Sequence, residues 1–168
     1  MTWGDCHVTI TSEPKVWKSG PALVGGCGTP RLLQLLRYFA DPPTTPVGEN
    51  DMHTMVLWAD HLREVFTKHG ALRKEDDEVH LPKGSGILVG LRGRWYEIDG
   101  PWSVSAHDVL YAAIGCGAAD ALPVLYHLVG RKGLVDPLYA LEAALDASAH
   151  FNPHVKRPFV AVTVPVDV

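Results

Sequence analysis

Gly115-Cys116-Gly117 sets one thiol between two residues that lack a β-carbon. That spacing lets the backbone turn sharply and approach another group closely, with the thiol presented at the corner. A thiol acting as an independent nucleophile needs a histidine and an acid beside it. His107 and Asp120 are near in sequence but form no obvious partnership with Cys116. A packed strand-to-helix corner accounts for the same residues without any chemistry. A second candidate is Gly28-Thr29-Pro30. Thr29 suits a helix N-cap, and Pro30 at the first helical position loses no needed N–H. The backbone N–H groups near Gly28 would then sit at a helix N-terminus, where partial positive charge favours an oxyanion. Plain capping explains this turn equally well.

Other chemistries find less support. The nine histidines include no HExxH motif, and His61 and His69 lie eight apart without an acid at metal-ligand spacing. No metal and no cofactor are therefore expected. Cys6, Cys27 and Cys116 are odd in number and widely spaced, which gives neither a disulfide framework nor a metal knuckle. A reducing compartment, the cytoplasm, fits that usage. The formal net charge is -4, and basic residues cluster only as the pairs Arg131-Lys132 and Lys156-Arg157, so nucleic-acid binding is not expected. No apolar run is long enough to span a bilayer, and no secretory pattern opens the chain.

The elements that must position these residues follow from periodicity. A length of 168 residues with 46% hydrophobic composition suits one domain, spanning 1–168. His7–Thr11 alternates as a strand, Lys15–Lys18 is a second short strand, and Ala22–Cys27 reads as a buried strand of small residues. Leu32, Leu33, Leu35, Leu36 and Phe39 give the helix after Pro30 a broad apolar face. Residues 41–50 are a Pro- and Thr-rich loop. Asp51–His69 is helical by spacing and stops at Gly70. The charged run Lys74–Glu78 reads as a solvated loop. Gly86–Leu91 and Trp95–Asp99 form a hairpin across Arg92-Gly93-Arg94, with Trp95 and Tyr96 as packing residues. Val109–Ile114 reads as the end of a buried strand, Ala118–Leu128 as a helix, and Asp136-Pro137 as the start of another helix. Phe159–Val164 closes the chain as a strand. Strands and helices fall in blocks, which predicts α+β architecture: antiparallel sheets with helices on their outer faces.

Taken in order, these segments resemble a proteasome β-type subunit of the N-terminal nucleophile (Ntn) hydrolase superfamily, in the manner of HslV and of small bacterial or phage proteasome-like proteins. The resemblance is carried by Glu13-Pro14-Lys15-Val16-Trp17, by Ala22–Gly28 with the helix ending in Leu36-Arg37-Tyr38, by the hairpin Gly86–Asp99, and by Tyr111–Gly117. It implies a four-layer αββα sandwich with two antiparallel sheets. It also implies a threonine-type peptidase, whose N-terminal Thr or Ser uses its own α-amine as base. Lys15 would be the site lysine that assists proton transfer, and Gly28 the oxyanion donor, with Gly26 its rival. Cys116 would stand where the family has a serine, with a weaker donor. Asn152 lies where the family often has an acid. The partners implied are a peptide or protein substrate, a homo-oligomeric ring and an ATP-dependent unfoldase.

One departure qualifies this. The family places its nucleophile on a hairpin before the strand that His7–Thr11 resembles. Removal of Met1 would expose Thr2, which is chemically suitable but falls at the end of the family's second strand. Two expectations follow: a start codon assigned too late, with the nucleophile hairpin upstream, or a subunit truncated and inactive as written. The alternative function is a non-catalytic structural or interaction subunit that keeps the fold for ring assembly. A small-molecule amidase on the same fold is a third class, because the nucleophile does not define the acyl group.

Overall fold

Alternation along β2 (Ala22–Cys27) divides a sheet into two faces. Ala22, Val24 and Gly26 are buried, whereas Leu23, Gly25 and Cys27 are half-buried. The computed structural model describes residues 13–43, 50–75, 78–131, 133 and 136–164. Within them β2 pairs antiparallel with β1 (Val16–Ser19) on one side and with β5 (Gly86–Leu91) on the other. β6 (Arg94–Ile98) and β7 (Val104–His107) complete a five-stranded antiparallel sheet in the order β1-β2-β5-β6-β7. Register aligns Val24 with Val89 and Val89 with Tyr96 in one buried row. The opposite face carries Leu23, Gly90, Trp95 and His107 in another row.

Two helices cover the buried face. In α1 (Pro30–Tyr38) the Thr29 hydroxyl accepts a hydrogen bond from the Leu32 N–H at 3.3 Å, so the N-cap expected from sequence is present. Leu32, Leu35 and Leu36 turn inward. α2 (Asp51–Lys68) is capped by Asn50, whose side chain accepts from the Met52 N–H at 3.0 Å. Its buried Met55, Trp58, Ala59, Leu62 and Phe66 follow helical spacing and meet Ile87, Val89, Leu91, Tyr96 and Ile98 in one core. The β5–β6 turn uses Arg92 and Gly93 at φ 49° and 76°, the left-handed pair that suits a two-residue hairpin. Arg94 therefore belongs to β6, opposite Leu91.

α3 (Ala118–Leu125) and α4 (Pro137–Phe151) form a second unit, packed on each other through Ala121, Leu125, Leu128, Ala140 and Ala144. Pro123 removes the N–H that would bond the Ala119 carbonyl. The helix then widens into a π-helical turn, Tyr126–Arg131, instead of ending regularly near Leu128. Asp136 caps α4 by accepting from the Leu138 N–H at 3.2 Å. Asp136→Ala is expected to lower stability by about 1 kcal/mol, read as a lower midpoint in urea with an unchanged slope.

Three sequence expectations need correction. Val109–Ile114 is not a strand: β7 ends at His107, opposite Trp95, and β6 begins one residue earlier at the hairpin turn. No ladder partner extends past that point, so Val109 and Leu110 emerge 46% and 80% exposed. Lys74, Glu75 and Glu78 of the charged run belong to a short antiparallel ladder, β3 (Arg73–Glu75) with β4 (Glu78–His80), in place of the expected loop; Asp76 and Asp77 lie outside the described residues. Phe159–Val164 forms no ladder among the described residues. The strand expected at His7–Thr11 lies outside the described residues.

Candidate functional site

Three separate segments meet where β2 ends. Cys27 is the last residue of β2, on the half-buried face. Immediately before β1, the Lys15 carbonyl accepts the Gly26 N–H at 3.0 Å, which places the Lys15 backbone opposite Gly26, one position short of Cys27. From the other side comes Gly115, at φ 92°. A β-carbon on Gly115 would lie 3.2 Å from the Cys27 β-carbon, so the turn preceding α3 rests against that residue. Cys116 follows, exposed. Lys15, Gly28 and Cys116 are thus all gathered around Cys27, a residue that sequence reasoning did not single out.

The environment of Cys27 reports the cluster electrically. Burial pushes its thiol above the ordinary cysteine value. A hydrogen bond from the Gly86 backbone and the Lys15 ammonium pull the other way, while Glu97 and Cys116 add to the rise. The thiol sits 3.6 Å from the Gly84 carbonyl oxygen, a weak S–H donor contact.

Gly28 turns the chain out of β2 at φ 123°, a conformation open to glycine alone. A β-carbon there would stand 2.2 Å from the Ser85 hydroxyl oxygen. That oxygen is buried and finds no hydrogen-bond partner among the described residues. The rival Gly26 has given its N–H to Lys15 and has none left for an oxyanion. Gly28 is followed directly by the Thr29 cap, so its peptide lies at the positive end of α1.

The Cys116 turn is held from α4. The Asn152 side-chain amide donates to the Cys116 carbonyl at 2.7 Å, and the Ser148 hydroxyl donates to the Gly117 carbonyl at 2.9 Å. Gly117 admits this approach, because a β-carbon there would be 2.7 Å from Val155 Cγ2 and 3.1 Å from Ser148 Cβ. His107 is engaged elsewhere: its Nε2 lies 3.3 Å from Glu97 Oε2 across the β6–β7 pair. Trp95 packs as a hairpin residue, with its indole N–H donating to the Leu110 carbonyl at 3.3 Å. Among the described residues no group of three metal-ligating side chains forms, and no helix is long and apolar enough to cross a membrane.

Of the residues missed, Cys27 had a usable signal. It lies two residues beyond Gly25 in β2 and so belongs to the face opposite Val24. Ser85 and Ser148 had none, because their roles depend on contacts 57 and 31 residues away in sequence, at Gly28 and Gly117 respectively.

No protein family matches the chain, and no curated protein matches it. Solved structures do. It is similar to Thiobacillus denitrificans BPH, with a TM-score of 0.71 and 16% identity over 89% of this chain and 77% of that one. In complex with epoxomicin, BPH superposes with a TM-score of 0.72 and 16% identity over 94% and 84% of the two chains. Eukaryotic HslV from Trypanosoma brucei gives 0.60 and 16% identity over 93% and 83%. The fold is therefore the proteasome β-like, Ntn-hydrolase type that the ordered segments resembled.

Proposed function

We propose that this chain is a subunit of a proteasome-like, threonine-type peptidase, and that Lys15, Gly28 and Cys116 form the supporting wall of its site. The observation that carries the reading is their convergence around Cys27 from three separate segments. In this reading the nucleophile comes from outside the described residues. Its hydroxyl oxygen attacks the scissile carbonyl, the α-amine takes the proton, and an acyl-enzyme forms as the leaving amine departs with that proton. Water then releases the acyl group. The Gly28 N–H stabilises the oxyanion, and Lys15 favours the deprotonated nucleophile by its charge. Cys116 supports the amine with a thiol in place of a hydroxyl.

Ring assembly of a single-domain chain belongs to the same proposal. Exposed Leu122, Tyr126, Tyr139 and Phe151 on the α3–α4 unit supply apolar surface for it. An ATP-dependent unfoldase would feed protein substrate to the ring.

Epoxomicin, present in the BPH complex, is the test probe. The purified, assembled protein is incubated with it, weighed intact, mapped by peptide mass spectrometry and assayed on fluorogenic peptides. One adduct per chain on a terminal Thr or Ser, with loss of peptide hydrolysis, is the expected result. An assembled particle that takes no adduct and cleaves no peptide is instead the non-catalytic subunit.

A further inference from the structure

Arg37 lies in the last turn of α1, yet its contacts are with the chain around Lys15. Its Nη2 donates to the Pro14 carbonyl, and its guanidinium carbon stands 4.4 Å from the centre of the Trp17 ring. The same side chain therefore grips the residue before Lys15 and the second residue after it. Beside it the Tyr38 hydroxyl donates to the Glu13 carboxylate, and that bond pushes the phenol above its ordinary value. On the other side, the Lys15 carbonyl is bonded to the Gly26 N–H. The main chain at Lys15 is thus held between the end of α1 and the end of β2.

We propose that Arg37 is the positioning residue for Lys15, clamping Pro14 and Trp17 so that the lysine is held at the end of β2, opposite Gly26. The proposal rests on the reading of Lys15 as the site lysine. The clamp needs an arginine: a planar guanidinium can lie over an indole and still donate in its own plane, whereas an ammonium is a single point donor. Arg37 touches no reacting atom in this arrangement and acts only through Lys15.

The consequence is measurable at Cys27 without any peptidase assay. The charged and titratable groups that act on this thiol are Lys15, Glu97 and Cys116, together with the Gly86 backbone hydrogen bond. Site-resolved alkylation of Cys27 by iodoacetamide, followed across pH by peptide mass spectrometry, reads how closely Lys15 is held. Lys15→Ala removes a cation that favours the thiolate, so the alkylation midpoint should rise and alkylation below it should slow. Arg37→Ala should raise it in the same direction although Arg37 does not itself act on Cys27. The double variant should rise no further than Lys15→Ala alone. Additive shifts, an unchanged midpoint in Arg37→Ala, or a lowered midpoint from loosened burial would each overturn the proposal. Should Arg37→Ala not fold, Arg37→Lys substitutes for it, with a smaller rise expected and an unchanged midpoint overturning the clamp. A chain that titrates as expected but neither binds epoxomicin nor cleaves peptides leaves the clamp standing and removes the peptidase reading.

Discussion

Gly28→Ala is expected to cost about 3 kcal/mol or more in stability, the sum of a left-handed backbone forced on a residue with a β-carbon and of overpacking. Gly28 sits at φ 123°, and the new methyl group would fall 2.2 Å from the Ser85 hydroxyl oxygen and 2.8 Å from its β-carbon. For a chain of this length the loss corresponds to a melting temperature lower by about 6–12 °C. Ser85 separates the two causes. Ser85→Ala alone should be neutral or mildly stabilising, because it removes a buried hydroxyl that has no partner among the described residues. Combined with Gly28→Ala it should recover part of the steric cost and none of the backbone cost. A Gly28→Ala protein that melts with the wild type would show that the backbone at Gly28 is not left-handed. In the proposed site the same substitution displaces the peptide assigned to the oxyanion, so peptide hydrolysis should fall well beyond what the loss of folded protein explains.

Ser85 also shows what the sequence could and could not convey. The β2–Gly28–α1 corner was legible because each signal is local: small alternating residues, a glycine, a threonine cap and a proline. The pairing of β5 with β6 was legible for the same reason, since Arg92-Gly93 lies between two alternating segments. Val109–Ile114 misled because apolar composition guarantees neither a hydrogen-bond partner nor burial: Val109 and Leu110 are exposed and residues 111–114 only half-buried. These residues run past Arg94, where β6 begins, so β6 offers them nothing to pair with. The run Lys74–Glu78 misled in the opposite sense, because its charge hid a short ladder. The residues of the proposed site could be named one by one in the sequence, but their meeting at the end of β2 could not. Lys15, Gly28 and Cys116 are brought together by a residue whose thiol looked like strand filling, and Cys27 meets Gly115 across 88 positions of sequence. The Arg37 clamp was equally silent: an arginine at a helix C-terminus reads as a partner for the helix dipole, and nothing in its spacing points to Pro14.

Asn152→Asp is the second large effect expected, about 2 kcal/mol at neutral pH, and it bears on how the Cys116 turn is held. The Asn152 amide donates to the Cys116 carbonyl at 2.7 Å while its oxygen accepts from the His154 N–H at 3.0 Å. An aspartate keeps the second bond and cannot make the first. It also places a carboxylate oxygen against a carbonyl oxygen and puts negative charge at the C-terminus of α4, where the helix dipole opposes it. Asn152→Ala loses both bonds without adding repulsion, so at pH 7 the alanine variant should lie between the wild type and the aspartate. The sign with pH is distinctive. Both the carbonyl and the helix end favour the neutral acid, which raises the folded-state pKa of the new carboxyl above its unfolded value. Protonation also restores a donor. The aspartate penalty should therefore be complete at neutral pH and shrink as pH falls through the carboxyl range, while the alanine penalty stays level. Thermal melts of the three proteins at pH 7 and pH 4.5 decide it, and an aspartate variant as stable as the wild type at pH 7 would sink the argument. An acid at position 152 would therefore destabilise this turn as it is built. Asn152 and Cys116 form one structural unit, in which an amide holds the backbone carbonyl at the corner that leads into α3.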